Sequence, residues 1–121
     1  MKYLLLIHDD EKVRAKETEA ERNQLINEYM QFGKSIRESG HILGSNRLQP
    51  SSTATTVRVR DGKRLVTDGP FAETREQLAG YFLIEAKDLD EAIGIAARIP
   101  SARMGTIEVR PLMEAAVPAN A

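Results

Sequence analysis

The chain has 121 residues, 41% of them apolar, which predicts one domain with one core, because two domains of half this size would each bury little surface. Seventeen basic and 18 acidic residues give a net charge of −1. Since no long block of one sign occurs, direct nucleic-acid binding is disfavoured. The lack of cysteine excludes disulfides, thiolate nucleophiles and zinc–thiolate sites, and fits a reducing compartment.

The first strand is predicted over residues 2 to 8. The run from Tyr3 to Ile7 is apolar at every position, so its side chains point to both faces of a sheet and both faces need cover. The run is too short for a signal h-region or a membrane span. We therefore expect a cytoplasmic protein without a membrane partner.

A long amphipathic helix is predicted next, after a charged and irregular segment over residues 9 to 17. Thr18 and Glu21 form a capping-box pattern, and Gly40 is a C-terminal stop signal. The apolar residues between them recur at helical spacing. They are Leu25, Tyr29, Phe32 and Ile36, with Ile26 and Met30 widening the face.

The middle of the chain predicts a β-hairpin. After a short strand near residues 41 to 44 and a polar surface loop, Thr55–Arg60 and Lys63–Thr67 flank Asp61-Gly62, a pair typical of a type I′ turn. This register places Val57 opposite Val66, with Arg58, Arg60 and Lys63 pointing outward. We interpret these basic residues as a solvated edge that prevents strand pairing with other chains.

The last third predicts a strand, a helix and a strand. Residues 78 to 86 are apolar on both faces, and Asp88 with Glu91 forms a second capping-box pattern. The second helix places Leu89, Ala92, Ile93, Ala96 and Ile99 on one face and ends at Pro100. The final strand, Thr106 to Leu112, alternates Ile107 and Val109 with Glu108 and Arg110. Residues 1–113 are predicted to form a single domain, and 114–121 a disordered tail.

This order of elements is a split βαβ arrangement of the ferredoxin-like α+β class, with an added β-hairpin. Two helices cover only one face of an antiparallel sheet, yet the first strand is apolar on both faces. We therefore predict a homodimer joined sheet to sheet, which makes a dimeric α/β barrel across two chains.

The block Thr67–Thr74 predicts a rigid, sharply turned loop. Gly69 is free to adopt positive φ, Pro70 has a fixed φ, and Phe71 follows. Such a loop aims the Asp68 carboxylate in one direction. Two interpretations remain open: Asp68 caps the turn by accepting backbone N–H groups, or it is a functional acid or base.

Five segments together resemble the DGPF branch of the YCII-related family. They are Met1–Ile7, Thr55–Gly62, Val66–Thr74, Asp88–Ala92 and Glu108–Leu112. The resemblance covers nearly the whole chain before the tail. It implies a dimeric ferredoxin-like fold and a family of mostly undetermined role, whose members are described variously as candidate enzymes and as proteins encoded beside extracytoplasmic-function sigma factors.

The chain departs from the wider family at the suspected catalytic pair, a histidine of the first helix with an aspartate after the second. Tyr29 occupies the helix position, and residues 98 to 100 carry no acid. A base and its orienter must then come from other residues, and strand ends can bring His8 and Asp68 together. We predict His8 and Asp68 as catalytic candidates.

Each remaining candidate has a structural alternative. His8 is either a general base, the role for which histidine is the usual side chain, or a hydrogen-bonded surface histidine. Tyr29 is either a substrate-binding residue or a core residue with its hydroxyl at the rim. Arg110 meets either a ligand carboxylate or an acid of the dimer partner. Phe71 is a further substrate-binding candidate. His8, Asp9 and Asp10 are not expected to hold a metal, because consecutive strand residues face opposite ways.

Two functions are therefore predicted. The first is binding or transformation of a small molecule in a cleft near the Asp68–Phe71 loop, lined by His8, Tyr29, Asp68 and Arg110. The second is a noncatalytic dimeric interaction module linked to sigma-factor-dependent transcription. The sequence indicates no cofactor, and it leaves open whether the protein is an enzyme.

Overall fold

The computed structural model describes residues 1–114; the predicted tail lies outside the described residues, apart from Glu114. The three helices are α1 (Glu11–Ala15), α2 (Glu19–Glu38) and α3 (Leu89–Ala97). The six strands are β1 (Lys2–Asp9), β2 (Ile42–Arg47), β3 (Thr55–Arg60), β4 (Lys63–Asp68), β5 (Gln77–Glu85) and β6 (Thr106–Pro111). A 3₁₀ turn at Pro100–Arg103 joins α3 to β6.

The strands form two antiparallel sheets. The larger has the order β2-β5-β1-β6, and the smaller is the hairpin of β3 and β4. Along β1, Leu5 pairs with Phe82 of β5 and Val109 of β6, while Leu4 pairs with Leu83 and Arg110. The mixed composition of three helices and antiparallel sheets confirms the α+β class.

The hydrophobic core lies on one face of the four-stranded sheet, which we call the helix face. Tyr3, Leu5 and Ile7 of β1 point into it. It also contains Phe82 and Ile84 of β5, Phe32 and Ile36 of α2, and Ala92, Ile95 and Ala96 of α3. The opposite face, which we call the open face, carries Leu4 and Leu6, both half-buried. Apolar residues on both faces of β1 confirm that part of the sequence prediction.

The capping prediction for α2 is confirmed. Glu21 N–H donates to Thr18 Oγ1 at 3.1 Å, and Thr18 N–H donates to Glu21 Oε1 at 3.4 Å. At α3 the box is formed in part, because Glu91 N–H donates to Asp88 Oδ1 at 2.9 Å, whereas Glu91 Oε1 accepts from Lys87 N–H at 3.1 Å.

The hairpin register is also confirmed, since Val57 pairs with Val66 and Arg60 with Lys63. Asp61 and Gly62 have φ values of 52° and 72°, the left-handed conformation that a type I′ turn needs at both central residues. Val57, Val59 and Val66 remain more than half exposed, at 56%, 61% and 58%.

Three details of the sequence prediction were wrong. Residues 9 to 17 contain α1, which forms because the Asp10 carboxylate caps Lys12 N–H and Val13 N–H. Strand β2 extends to Arg47, beyond the residues assigned to it. On α3, Ile95 is buried while Leu89 and Ile93 are each 49% exposed, because that helix is apolar around most of its circumference and periodicity does not identify its inner face.

Candidate functional site

A group of polar side chains lies inside the molecule at the C-terminal end of β1. Asp9 is the first of them, at 7% exposure. Side chains alternate along a strand, so Asp9 continues the inward series of Tyr3, Leu5 and Ile7. The strand therefore carries a carboxylate to the edge of the core.

Asp9 has two close partners. Its Oδ1 accepts a hydrogen bond from Asp10 N–H at 2.9 Å, and its Oδ2 lies 3.2 Å from Arg14 Nε. Another nitrogen of Arg14 lies 3.2 Å from Glu17 Oε1. Arg14 Nε is itself buried and donates a hydrogen bond to no acceptor within residues 1–114. The Asp9–Arg14 contact is thus ionic, with the Nε–H donor unsatisfied.

Burial dominates the ionisation of Asp9. It raises the pKa of this carboxyl above the ordinary value, against the opposing effects of Arg14 and the Asp10 N–H. The nearby charges of Glu17 and Glu76 raise this pKa further. Asp9 therefore holds a proton to higher pH than an exposed aspartate.

Tyr29 and Ser101 form a hydroxyl pair beside this carboxylate. The Tyr29 Oη and Ser101 Oγ atoms are 2.5 Å apart, joining α2 to the 3₁₀ turn, and Ser101 is only 4% exposed. Burial raises the pKa of Tyr29, hydrogen bonding with Ser101 lowers it, and the charge of Asp9 adds to the rise. Tyr29 therefore stays protonated. We call Asp9, Arg14, Tyr29 and Ser101 the Asp9 cluster.

Gly105 allows the 3₁₀ turn to approach the end of β1. A Cβ atom at position 105 would lie 2.1 Å from the carbonyl oxygen of His8, a contact that no side chain tolerates. Only glycine permits this backbone approach. It helps to hold Ser101 against the strand that supplies Asp9.

His8 points to the open face, away from the Asp9 cluster. Its Nε2 lies 3.3 Å from Glu108 Oε1, and the other oxygen of Glu108 accepts from Arg110. The Arg110 guanidinium holds the pKa of Glu108 below its ordinary value, and His8 acts in the same direction. The acid that meets Arg110 in the structure is thus Glu108 of the same chain.

Asp68 and Phe71 lie outside both groups. Asp68 ends β4 in the separate two-stranded sheet, and no hydrogen bond or ion pair within residues 1–114 joins it to His8. Phe71 is 81% exposed. Gly69 has φ +96°, which confirms the sharp turn predicted after Asp68.

The single cleft expected from the sequence is not formed by the described residues. Tyr29 is on the helix face of the four-stranded sheet, whereas His8 and Arg110 are on the open face, because side chains alternate along β1 and β6. The functional roles of His8, Asp68, Tyr29, Arg110 and Phe71 stay predictions.

Sequence reasoning missed three members of the Asp9 cluster. Asp9 was considered only as a metal ligand, although it shares the strand parity of Tyr3 and Ile7. That parity places Asp9 on the same face of the strand as Tyr3 and Ile7, but apolar residues on both faces leave no local signal for which face is buried. Arg14 and Ser101 carried no sequence signal, since their placement depends on the short helix α1 and the 3₁₀ turn.

Within residues 1–114, no group of three or more His, Cys, Asp or Glu side chains is arranged to hold a metal ion. In the same part of the chain, no helix combines the length and apolarity needed to cross a bilayer.

The fold and the Asp9 cluster define a small α+β protein with a buried polar group at one strand end. The family model for the YCII-related domain matches residues 1–116. The chain is also 37% identical over 114 residues to an uncharacterised protein of Rhizobium meliloti (strain 1021), covering 93% of this chain and 92% of that protein. The chain therefore belongs to the YCII-related domain family.

Proposed function

We propose that this YCII-domain protein binds a small polar molecule at the Asp9 cluster and exchanges a proton with it. The observation that carries the proposal is the buried Arg14 Nε, which has no acceptor within residues 1–114 although it lies 3.2 Å from a buried carboxylate. Native proteins leave few buried donors unsatisfied. A ligand acceptor beside Arg14 satisfies this one.

The chemistry of the cluster supports proton exchange. Burial raises the pKa of Asp9, which brings the carboxyl closer to the pH at which a general acid or base works best. Tyr29 remains neutral, and its hydrogen bond with Ser101 orients its hydroxyl group. Arg14 binds the charge or the lone pair of the ligand.

The Asp68–Phe71 loop is the competing location for a ligand. Its support is the exposed Phe71 side chain and the rigid turn that follows Asp68. The two locations lie on separate sheets, so single substitutions distinguish them.

The test is native mass spectrometry of protein incubated with a metabolite extract and then exchanged into volatile buffer. We expect a bound mass in the wild type that is lost in Asp9→Asn and Tyr29→Phe and kept in Asp90→Asn, a matched control at an exposed helix position. Loss in Asp68→Asn alone would move the site to the loop. A wild type without any bound mass would contradict the proposal.

We further propose that the fold is ferredoxin-like, that residues 1–113 form one domain of the DGPF branch, and that two copies pack sheet to sheet as a dimeric α/β barrel. The strand order β2-β5-β1-β6 supports the first point. Leu4, Leu6, Tyr81 and Leu83 line the open face and are only half-buried. An apolar face of this kind is typical of an interface.

Light scattering at micromolar concentration tests the homodimer. A Leu6→Glu variant places a charge at the centre of the open face without entering the core, so we expect it to stay folded and become monomeric. A wild type that is a monodisperse monomer of 13.5 kDa would contradict the dimer.

The alternative function is a noncatalytic module linked to sigma-factor-dependent transcription. The exposed valines of the hairpin, Val57, Val59 and Val66, favour it, because they offer an apolar surface to a protein partner. We expect an extracytoplasmic-function sigma factor, if it is the partner, to bind the wild type and not Val57→Asp. Equal binding by both variants would remove this support.

A further inference from the structure

A groove of about 260 Å³ lies between α2 and the segment that follows α3. Phe32 and Ser35 of α2 form one side, and Arg98, Pro100 and Arg103 form the other. The groove crosses the same junction that the Tyr29–Ser101 hydrogen bond spans, but its lining residues are distinct from the Asp9 cluster.

The two arginines of this groove differ in their partners. Arg103 is paired with Glu28, and it lowers the pKa of that carboxyl. Within residues 1–114, Arg98 forms no ion pair, and its guanidinium carbon lies 5.8 Å from the centroid of the Phe32 ring. This distance suits a cation–π contact. Arg98 is thus a cation without a counter-charge among the described residues.

The platform below Arg98 is rigid. Phe32 is 6% exposed and makes an edge-to-face contact with Phe82, with ring centroids 5.1 Å apart and an interplanar angle of 76°. A guanidinium resting on a fixed ring keeps its N–H edge free to meet an oxyanion with two parallel hydrogen bonds. Part of the ordering cost of binding is therefore met before a ligand arrives.

We propose that this groove binds a small monocarboxylate. The charges of the groove define the chemical class of its ligand. Arg98 and Arg103 are opposed by Glu28, which leaves one net positive charge. This charge matches a monoanion better than a phosphate dianion. The proposal is independent of proton exchange at Asp9 and concerns a different group of residues.

Arg98 has a structural alternative, in which its aliphatic stem only shields Phe32 from water. Methionine keeps an apolar chain of similar reach and removes the charge. Arg98→Met therefore separates the two roles, and Arg98→Lys keeps the charge while removing the bidentate geometry. Arg22→Met is the matched control, since Arg22 is an exposed arginine of α2 outside the groove.

The experiment is a heteronuclear NMR titration at constant ionic strength with sodium benzoate, its neutral analogue benzamide, and inorganic phosphate. We expect saturable benzoate shifts in the amides of residues 31–35 and 98–103, and binding weaker by about tenfold or more for benzamide. The Arg98→Met variant should lose benzoate affinity by a similar factor, and Arg98→Lys should lose less. Arg22→Met should bind benzoate as the wild type does. Unchanged benzoate affinity in a folded Arg98→Met variant, tighter binding of phosphate than of benzoate, or no saturable shift would each overturn the proposal.

Discussion

The two faces of the four-stranded sheet give neighbouring leucines of β1 different environments. Leu5, on the helix face, is 0% exposed and packs against residues of two helices. Leu6, on the open face, is half-buried and pairs with Tyr81 and Glu108. Position on the strand, rather than residue type, therefore determines what each leucine contributes to stability in a single chain.

The same alternation separates the two ionisable residues that end β1. His8 meets Glu108 on the open face, where both side chains reach solvent. Asp9 meets Arg14 at the edge of the core. One strand thus ends in a surface histidine–carboxylate contact on one side and a desolvated carboxylate on the other, and burial raises the pKa of that desolvated carboxyl.

The largest expected effect is the loss of Leu5. Leu5→Ala leaves a cavity between sheet and helices, so we expect the free energy of unfolding to fall by about 2–5 kcal/mol. Leu6→Ala, its neighbour on the open face, should cost clearly less under conditions where the chain is monomeric. Urea unfolding of both variants measures the contrast. Equal losses would mean that the two faces are equally packed in one chain.

The sequence predicted those elements whose signals are local. The Thr18–Glu21 capping box, the Asp61-Gly62 turn and the alternation of β6 each depend on residues close in the chain, and the structure has all three. The sequence did not show which face of β1 is buried, since leucines point to both faces of this strand. The Asp9 cluster depends on contacts between β1, α1, α2 and the 3₁₀ turn, which no local pattern encodes.

The second prediction concerns the pH dependence that Asp9, on the helix face, gives to the free energy of unfolding. Because its pKa is raised in the folded state, the folded chain holds this proton more tightly than the unfolded chain does. Its contribution to stability is therefore full below the ordinary aspartate pKa and is lost as pH rises through the folded value. Asp9→Asn removes this dependence.

The measurement is the difference in unfolding free energy between the wild type and Asp9→Asn across the acid to neutral range. We expect the difference, wild type minus variant, to fall as pH rises. Glu28, Glu91 and Glu108 have lowered pKa values, so their contributions to stability are lost as pH falls. Because these residues are present in both proteins, their contributions cancel in the difference. A difference that rises with pH would mean that the Arg14 ion pair outweighs burial.

A smaller effect is expected for the hydroxyl pair beside Asp9. Tyr29→Phe removes the hydrogen bond between Tyr29 Oη and Ser101 Oγ, which are 2.5 Å apart, and should cost about 1 kcal/mol of stability. Ser101→Ala should cost a similar amount. If the two groups act together, the double variant costs less than the sum of the single variants. Strict additivity in denaturant unfolding would show that the pair is not coupled.

The smallest expected effect on stability is that of Asp68→Asn, in the separate two-stranded sheet of β3 and β4. Asp68 is exposed, and the hydrogen bonds that close its turn come from other groups. Gly69 N–H donates to the Ala54 carbonyl at 2.7 Å, and Thr56 Oγ1 donates to the Gly69 carbonyl at 2.8 Å. Asp68→Asn should therefore cost about 1 kcal/mol or less.

Gly69→Ala is the matched contrast to Asp68→Asn, because φ at Gly69 is +96° and a side chain there is strained, at a cost of about 1–2 kcal/mol. If Asp68 is a functional acid or base, Asp68→Asn abolishes binding or turnover of a ligand held near the loop while folding and assembly persist, since an amide cannot exchange the proton. Thermal unfolding of both variants, read beside the bound mass in native mass spectrometry, separates the roles. A loss of several kcal/mol in Asp68→Asn, with ligand binding intact in the folded protein, would assign this carboxylate to structure.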